Sequence, residues 1–137
     1  CDFGSAAKLD DCEITEYMQS RFYRAPEIAL GVEYDYAIDM WSLAATLFEL
    51  YTGRILFQDN KNNNQLLKQH MELKGKPSTK FIKKGSAKDK HFDMDHAFLS
   101  HDIDPVTKNP KIRRLTTIHP TVDLMSRLRK NQKLNEA

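Results

Sequence analysis

The chain has 137 residues, of which 40% are hydrophobic and 29% charged, a balance that suits one globular domain and leaves little room for a second. Five Gly, five Pro and two Cys exclude collagenous, low-complexity and disulfide-scaffold classes, and no apolar run reaches the roughly 18 residues that cross a bilayer. The formal net charge is +2, yet residues 1–73 carry 6 Lys/Arg against 12 Asp/Glu and residues 74–137 carry 15 against 7, so an acidic half precedes a basic one.

The sequence opens on Cys1 and reads from the outset as the middle of a domain, so the chain is expected to be a fragment whose first residues say nothing about targeting. Cys1 and Cys12 make no CxxC pair and fit reduced thiols in a cytosolic or nuclear protein. Residues 1–27 lack helical or strand periodicity and are expected to be a long irregular segment, a type that is usually functional. Ile28 to Leu30 form a short apolar stretch that Gly31 closes as a helix C-cap.

From Asp35 the pattern Ala37, Ile38, Met40, Trp41, Leu43, Ala44, Ala45, Leu47, Phe48, Leu50, Tyr51 predicts a helix over 35–53 that is apolar on almost every side and stops at Gly53. Such a helix is expected to be a buried central axis, with partners that the chain does not itself contain. The polar stretch 58–64 caps a predicted helix over Gln65 to Leu73, ended by Gly75. Lys76 to Lys90 is basic and interrupted by Gly and Ser, Phe92 to Pro110 is polar with two prolines, and Val122 to Lys133 is helical again.

Three motifs stand in order: Asp2-Phe3-Gly4, Ala25-Pro26-Glu27 and Asp39-Met40-Trp41-Ser42. Either of the first two alone is weak, but the set at this spacing resembles the C-terminal lobe of a eukaryotic protein kinase over about residues 1–90. The fold this implies is mainly α: a partial kinase domain over 1–137, with an activation segment at 1–27, the central buried helix at 35–53 and a basic insert region at 74–137.

The resemblance assigns roles. Asp2 would be the carboxylate that holds Mg²⁺ on ATP, since that hard ion prefers oxygen ligands. Phe3 would pack inward and Gly4 let the loop turn, while Glu27 would pair with an Arg of a later helix and Ser20 would meet the catalytic loop beneath a Ser/Thr substrate. Asp39 would anchor the catalytic loop by accepting its backbone N–H groups, because a buried carboxylate needs partners; a first-turn Asp favouring the helix dipole is the plainer reading.

Ser20-Arg21-Phe22-Tyr23-Arg24-Ala25-Pro26-Glu27 is similar to the CMGC group, and Tyr17 to Arg24 is DYRK-like. Thr15-Glu16-Tyr17 copies the MAP-kinase phosphorylation triplet, and the CMGC resemblance, in which arginines four and seven residues on hold a phosphotyrosine, implies Tyr17 as main phosphosite and Thr15 as a second, with Arg21 and Arg24 binding the phosphate; the alternative is that these arginines pair with loop carboxylates such as Glu13 and Glu16. Glu49 to Phe57, Asn63-Asn64, Leu73-Lys74-Gly75-Lys76 and His91-Phe92-Asp93 resemble the PRP-four pre-mRNA splicing kinases, as does the DFGSA opening. That family implies a nuclear Ser/Thr kinase using ATP and Mg²⁺ on splicing-factor proteins, a cytoplasmic site remaining open. A DYRK- or MAP-like kinase and a truncated non-catalytic interaction module are the alternatives.

Departures from that pattern are Glu16 where the family has Pro, Ala44 where most kinases have Gly, and Gln58-Asp59 for the usual Pro-Gly. No Gly-rich loop, VAIK-type Lys or HRD catalytic Asp occurs in these residues, so the chain holds no catalytic base and is expected to be inactive alone. His91, His96 and His101 recur every five residues, about 140° apart on a helix, so they are not expected to share a metal. Asp93-x-Asp95 has Phe98 at the sixth position where a calcium loop needs Gly. Lys83-Lys84 and Arg113-Arg114 lack an aromatic RNA-binding strand, so direct nucleic-acid binding is not expected, nor is a membrane partner.

Overall fold

The structure, a computed structural model, describes residues 3–4, 6–11, 13–104 and 106–135. After an irregular run with 3₁₀ turns at Leu9–Asp11 and Arg21–Tyr23 come helices α1 (Pro26–Leu30), α2 (Ala37–Thr52), α3 (Asn63–Lys74), α4 (Thr79–Lys84) and α5 (Lys88–His91). A hairpin of β1 (Phe98–Ile103) and β2 (Pro110–Leu115) follows, then helix α6 (Leu124–Asn135). The local signals explain the boundaries. Pro26 occupies the first turn of α1, where its missing N–H costs nothing, and Gly31 at φ 67° ends it. Asn62 caps α3 by accepting from Gln65 N at 2.9 Å.

The core forms around α1 and α3. Leu30, Phe57, Leu66, Leu67, Met71, Ile82, Phe92 and Phe98 are buried together, each such side chain contributing about 1.5–3 kcal/mol. A smaller cluster joins Ala25, Ile28 and Ile38. Trp41 touches both clusters, stacking on Phe57 with centroids 5.7 Å apart, while His70 meets the two rings edge-on at 4.9 and 4.6 Å.

The expected central helix forms, but it is not a buried axis. Ile38, Ala45 and Phe48 of α2 face the core, whereas Met40, Leu43, Leu47, Leu50 and Tyr51 on its other side remain 48–76% exposed. A sequence apolar all round tells that every face can be covered; it does not tell which neighbours lie within these residues.

The structure also adds a hairpin, a two-stranded sheet that the polar, proline-containing stretch from Phe92 to Pro110 did not announce. Phe98 pairs with Leu115 and Ile103 with Pro110 in antiparallel register. Only Phe98 and Ser100 of β1 are buried and β2 is almost wholly exposed, so the alternation that marks a strand is carried by two residues. Charge holds the rest: Arg113 pairs with Asp102 at 2.5 Å, and Arg114 reaches Asp93 at 2.5 Å and Asp95 at 2.9 Å. Asn64, 2% exposed, fixes the hairpin to α3 by donating to the Leu99 carbonyl at 2.8 Å and accepting from His101 N at 2.8 Å.

The basic region packs on α1. Ser86 N and Ala87 N donate to the Gly31 and Leu30 carbonyls at 3.0 and 3.1 Å, and a Cβ on Gly85 would stand 2.6 Å from the Leu30 carbonyl oxygen, so only glycine allows this approach. The segment from α4 to the start of β1 is therefore packed in one core with α1.

Candidate functional site

The loop running from residue 13 to the start of α1 is shaped by two polar side chains. Gln19 sits in the left-handed region at φ 66°; its Nε2 donates to the Ile38 carbonyl at 2.9 Å and its Oε1 accepts from Ala25 N at 3.1 Å. That ties the loop to both α1 and α2. Arg24, only 6% exposed, donates through Nε to the Met18 carbonyl at 3.0 Å, through Nη2 to the Tyr17 and Gln19 carbonyls at 3.3 and 2.9 Å, and through Nη1 to Asn63 Oδ1 at 2.7 Å. A flat guanidinium is suited to gathering several carbonyls in this way.

Asn63 completes the frame from α3, its Nδ2 donating to the Glu16 carbonyl at 3.1 Å. From the other side Lys90 of α5 pairs with the Glu16 carboxylate at 2.5 Å. Tyr34 adds a hydrogen bond from its hydroxyl to the Glu13 carbonyl at 2.8 Å. The backbone of 13–24 is thus held by α1, α2, α3 and α5 together, while the Tyr17 side chain is 77% exposed above Arg24, whose Cζ lies 5.9 Å from the ring centroid.

The electrostatics follow from this crowding. Burial lowers Arg24 below the ordinary arginine pKa, the charge of Arg21 adds to that, and the Tyr17 hydroxyl works against it. The hydrogen bond and charge of Glu16 raise Lys90, with a further contribution from Tyr17. Arg24 and Lys90 therefore both lie within electrostatic reach of the exposed Tyr17.

The motif residues are placed as follows. Ala25 is buried, Pro26 and half-buried Glu27 open α1, and Ser20 is exposed ahead of the 3₁₀ turn at Arg21–Tyr23. Glu27 has no side-chain partner among the described residues. Ser42 donates to the Tyr23 carbonyl at 2.8 Å and the Tyr23 hydroxyl donates to Glu49 at 2.5 Å, so the Asp39–Ser42 motif braces the loop through its last residue. Thr15 accepts from Tyr17 N at 3.3 Å. Asp2 lies outside the described residues.

One expectation fails. Phe3 is 80% exposed and belongs to neither apolar cluster, so it does not pack inward. Asp39 is exposed in the first turn of α2 with no partner for its carboxylate among the described residues, where its charge favours the helix dipole; the catalytic loop it is expected to anchor does not occur in these residues. Asn63, Gln19, Glu16 and Lys90 were not singled out as site residues by the sequence. Glu16, Gln19 and the Asn63-Asn64 pair carried a signal only as points of family likeness, and the two asparagines face different partners, one the loop and one the hairpin.

Residues 1–133 match the protein kinase domain family. The chain belongs to that family. It is 47% identical over 129 residues to the serine/threonine-protein kinase prp4 of Schizosaccharomyces pombe, covering 94% of the chain and 27% of that protein. It is 42% identical over 124 residues to the serine/threonine-protein kinase prpf4B of Dictyostelium discoideum, covering 90% and 15%. Dual specificity tyrosine-phosphorylation-regulated kinase 4 of Homo sapiens is 46% identical over 92 residues, 67% of the chain and 17% of that kinase. The chain therefore spans about a quarter or less of these relatives, and within the kinase domain family its similarity to prp4-type and DYRK-type enzymes marks it as a CMGC kinase segment.

Proposed function

We propose that the chain is the activation segment and adjoining C-lobe of a serine/threonine protein kinase that transfers the γ-phosphate of ATP to proteins, in the nucleus and on splicing factors. The observation that carries it is the loop frame: Arg24 and Gln19 hold residues 17–19 against Ala25 and α2, fixing the course of the backbone that leads to exposed Ser20 and on to Pro26. Phosphoryl transfer is mostly positioning and electrostatic stabilisation, so a fixed loop for the accepting peptide is what this part of the lobe has to supply. The relatives named prp4 and prpf4B support the substrate class.

The donor chemistry fits Mg²⁺–ATP, since a single carboxylate plus nucleotide phosphates is a common way to hold that ion. Asp2 would be the ligand from this chain, and the ion would neutralise charge on the phosphates. Ser20 would lie beneath the accepting hydroxyl. Tyr17, and Thr15 after it, would be the sites whose phosphorylation orders the loop, Arg21 and Arg24 supplying positive charge. With four of its hydrogen bonds already spent on the loop and Asn63, Arg24 acts chiefly as fixed charge, which leaves exposed Arg21 as the freer donor.

The test is Asp2→Asn in the full-length protein that carries this chain. Phosphotransfer to a Ser/Thr substrate should disappear while the thermal transition stays unchanged. Normal turnover in that variant would remove Asp2 from the metal site and the reading with it.

A further inference from the structure

We propose that Lys90, carried by α5 of the basic region, is a phosphate-binding residue for Tyr17, taking the phosphate in place of the Glu16 carboxylate it holds when residue 17 is unmodified. The inference rests on the proposed phosphorylation of Tyr17 and goes beyond it in naming a receptor that no local spacing reveals.

The geometry makes the exchange short. Lys90 Nζ lies 2.5 Å from Glu16 Oε1, Glu16 is the immediate neighbour of Tyr17, and the Lys90 side chain is 62% exposed, so it can pivot without unpacking anything. An ammonium has three donors, of which one is committed to Glu16. A phosphate brings about −1.5 to −2 charges and three acceptor oxygens against the single charge of the carboxylate, so it competes for Lys90 with an advantage.

The alternative receptors are less free. Arg24 already donates to three carbonyls and to Asn63, and those bonds hold the loop in the shape that presents Tyr17. Its guanidinium sits beneath the ring at 5.9 Å, where it adds field but few donors. Arg21 is exposed, and Lys90 approaches from α5 as a second exposed cation, held among the described residues by Glu16 alone. A grip of this kind also gives the basic region a regulatory use: the Phe92 end of α5 is packed into the core, so a phosphate on residue 17 would be tied to the same body as α1 and the hairpin.

The experiment uses the full-length protein bearing phosphotyrosine at position 17, introduced by genetic encoding so that occupancy is set in advance. The rate at which a non-selective tyrosine phosphatase removes that phosphate is compared among wild type, Lys90→Met, Lys90→Arg and Glu16→Gln. Lys90→Met should speed removal about fivefold, the size of one partly exposed charge contact, and Lys90→Arg should restore protection. Glu16→Gln should leave protection equal or greater, because it frees Lys90 for the phosphate. Equal rates in Lys90→Met and wild type overturn the proposal. So does acceleration by Glu16→Gln matching that of Lys90→Met, which would make Lys90 a loop tether and nothing more. Separately, intact-mass measurement of the naturally produced active enzyme reports on Tyr17 itself: absence of phosphate there defeats the switch reading and this proposal together, whereas phosphate on Tyr17 with no effect of Lys90→Met defeats this proposal alone.

Discussion

Arg24 and Asn63 close a side-chain bridge across the base of the loop: Nη1 of Arg24 donates to Oδ1 of Asn63 at 2.7 Å, and the amide of the same Asn63 donates to the Glu16 carbonyl at 3.1 Å. Removing Arg24 leaves the carbonyls of Tyr17, Met18 and Gln19 without their shared donor. We expect Arg24→Ala to cost about 2–4 kcal/mol in the full-length protein and Asn63→Ala about 1 kcal/mol, measured by urea unfolding. Arg24→Lys should recover little, since one ammonium cannot reach acceptors spread along three residues and α3. A lysine variant with wild-type stability would show that charge alone, and not the planar fork, holds the loop.

How much of this was legible beforehand differs by element. Gly31, Gly53 and Gly75 end α1, α2 and α3 where the sequence placed those ends, because a helix that must turn into a left-handed or open conformation needs glycine there and the signal is local. Tyr17 and Arg24 are near one another in sequence and remain so in space. Asn63 and Lys90 could not be read in this way, since their partners lie in a distant part of the chain and each carries an ordinary surface-residue identity. The hairpin was missed for a related reason: β2 has no buried residue to impose a period of two, and its place is set by Arg113 and Arg114 finding aspartates across the turn.

Acid should destabilise the fold before any carboxylate titrates. Burial between Trp41 and Phe57 pulls His70 down to about 3, and burial likewise pulls His91 to about 4. Both are neutral in the native state, whereas in the unfolded chain a histidine takes up its proton near pH 6.5. Below that pH the unfolded state binds protons that the native state refuses, so stability falls as pH falls, by about 1.4 kcal/mol per pH unit for each histidine. Between pH 7 and 5.5 the pair should remove about 2–3 kcal/mol. His70→Phe, which keeps an aromatic ring in the stack, should halve the slope of stability against pH in chemical denaturation. Asp93, held low by its hydrogen bond from Arg114, acts in a separate window below the ordinary carboxylate range, where its contribution is lost as the pH falls through its lowered pKa. An unchanged slope in His70→Phe would mean that the ring is protonated in the native state.

The exposed side of α2 sets the behaviour of the 137 residues on their own. Met40, Leu43, Leu47 and Leu50 follow one another at helical spacing along that side, and they are 65%, 48%, 54% and 76% exposed. Soluble monomers rarely leave so continuous a stripe in water. We therefore expect the chain produced alone to self-associate, with sedimentation velocity showing broad, concentration-dependent species. Leu43→Gln, Leu47→Gln and Leu50→Gln together should shift it toward monomer, because glutamine keeps helix propensity while removing the apolar contact. In the full-length protein the same three changes should have the opposite consequence, costing about 2–5 kcal/mol for each leucine that the rest of the protein buries. The two measurements separate cleanly. A wild-type chain that sediments as one sharp monomer at all concentrations would show that this face is satisfied by water, and a full-length triple variant of unchanged stability would show that nothing in the complete protein covers it.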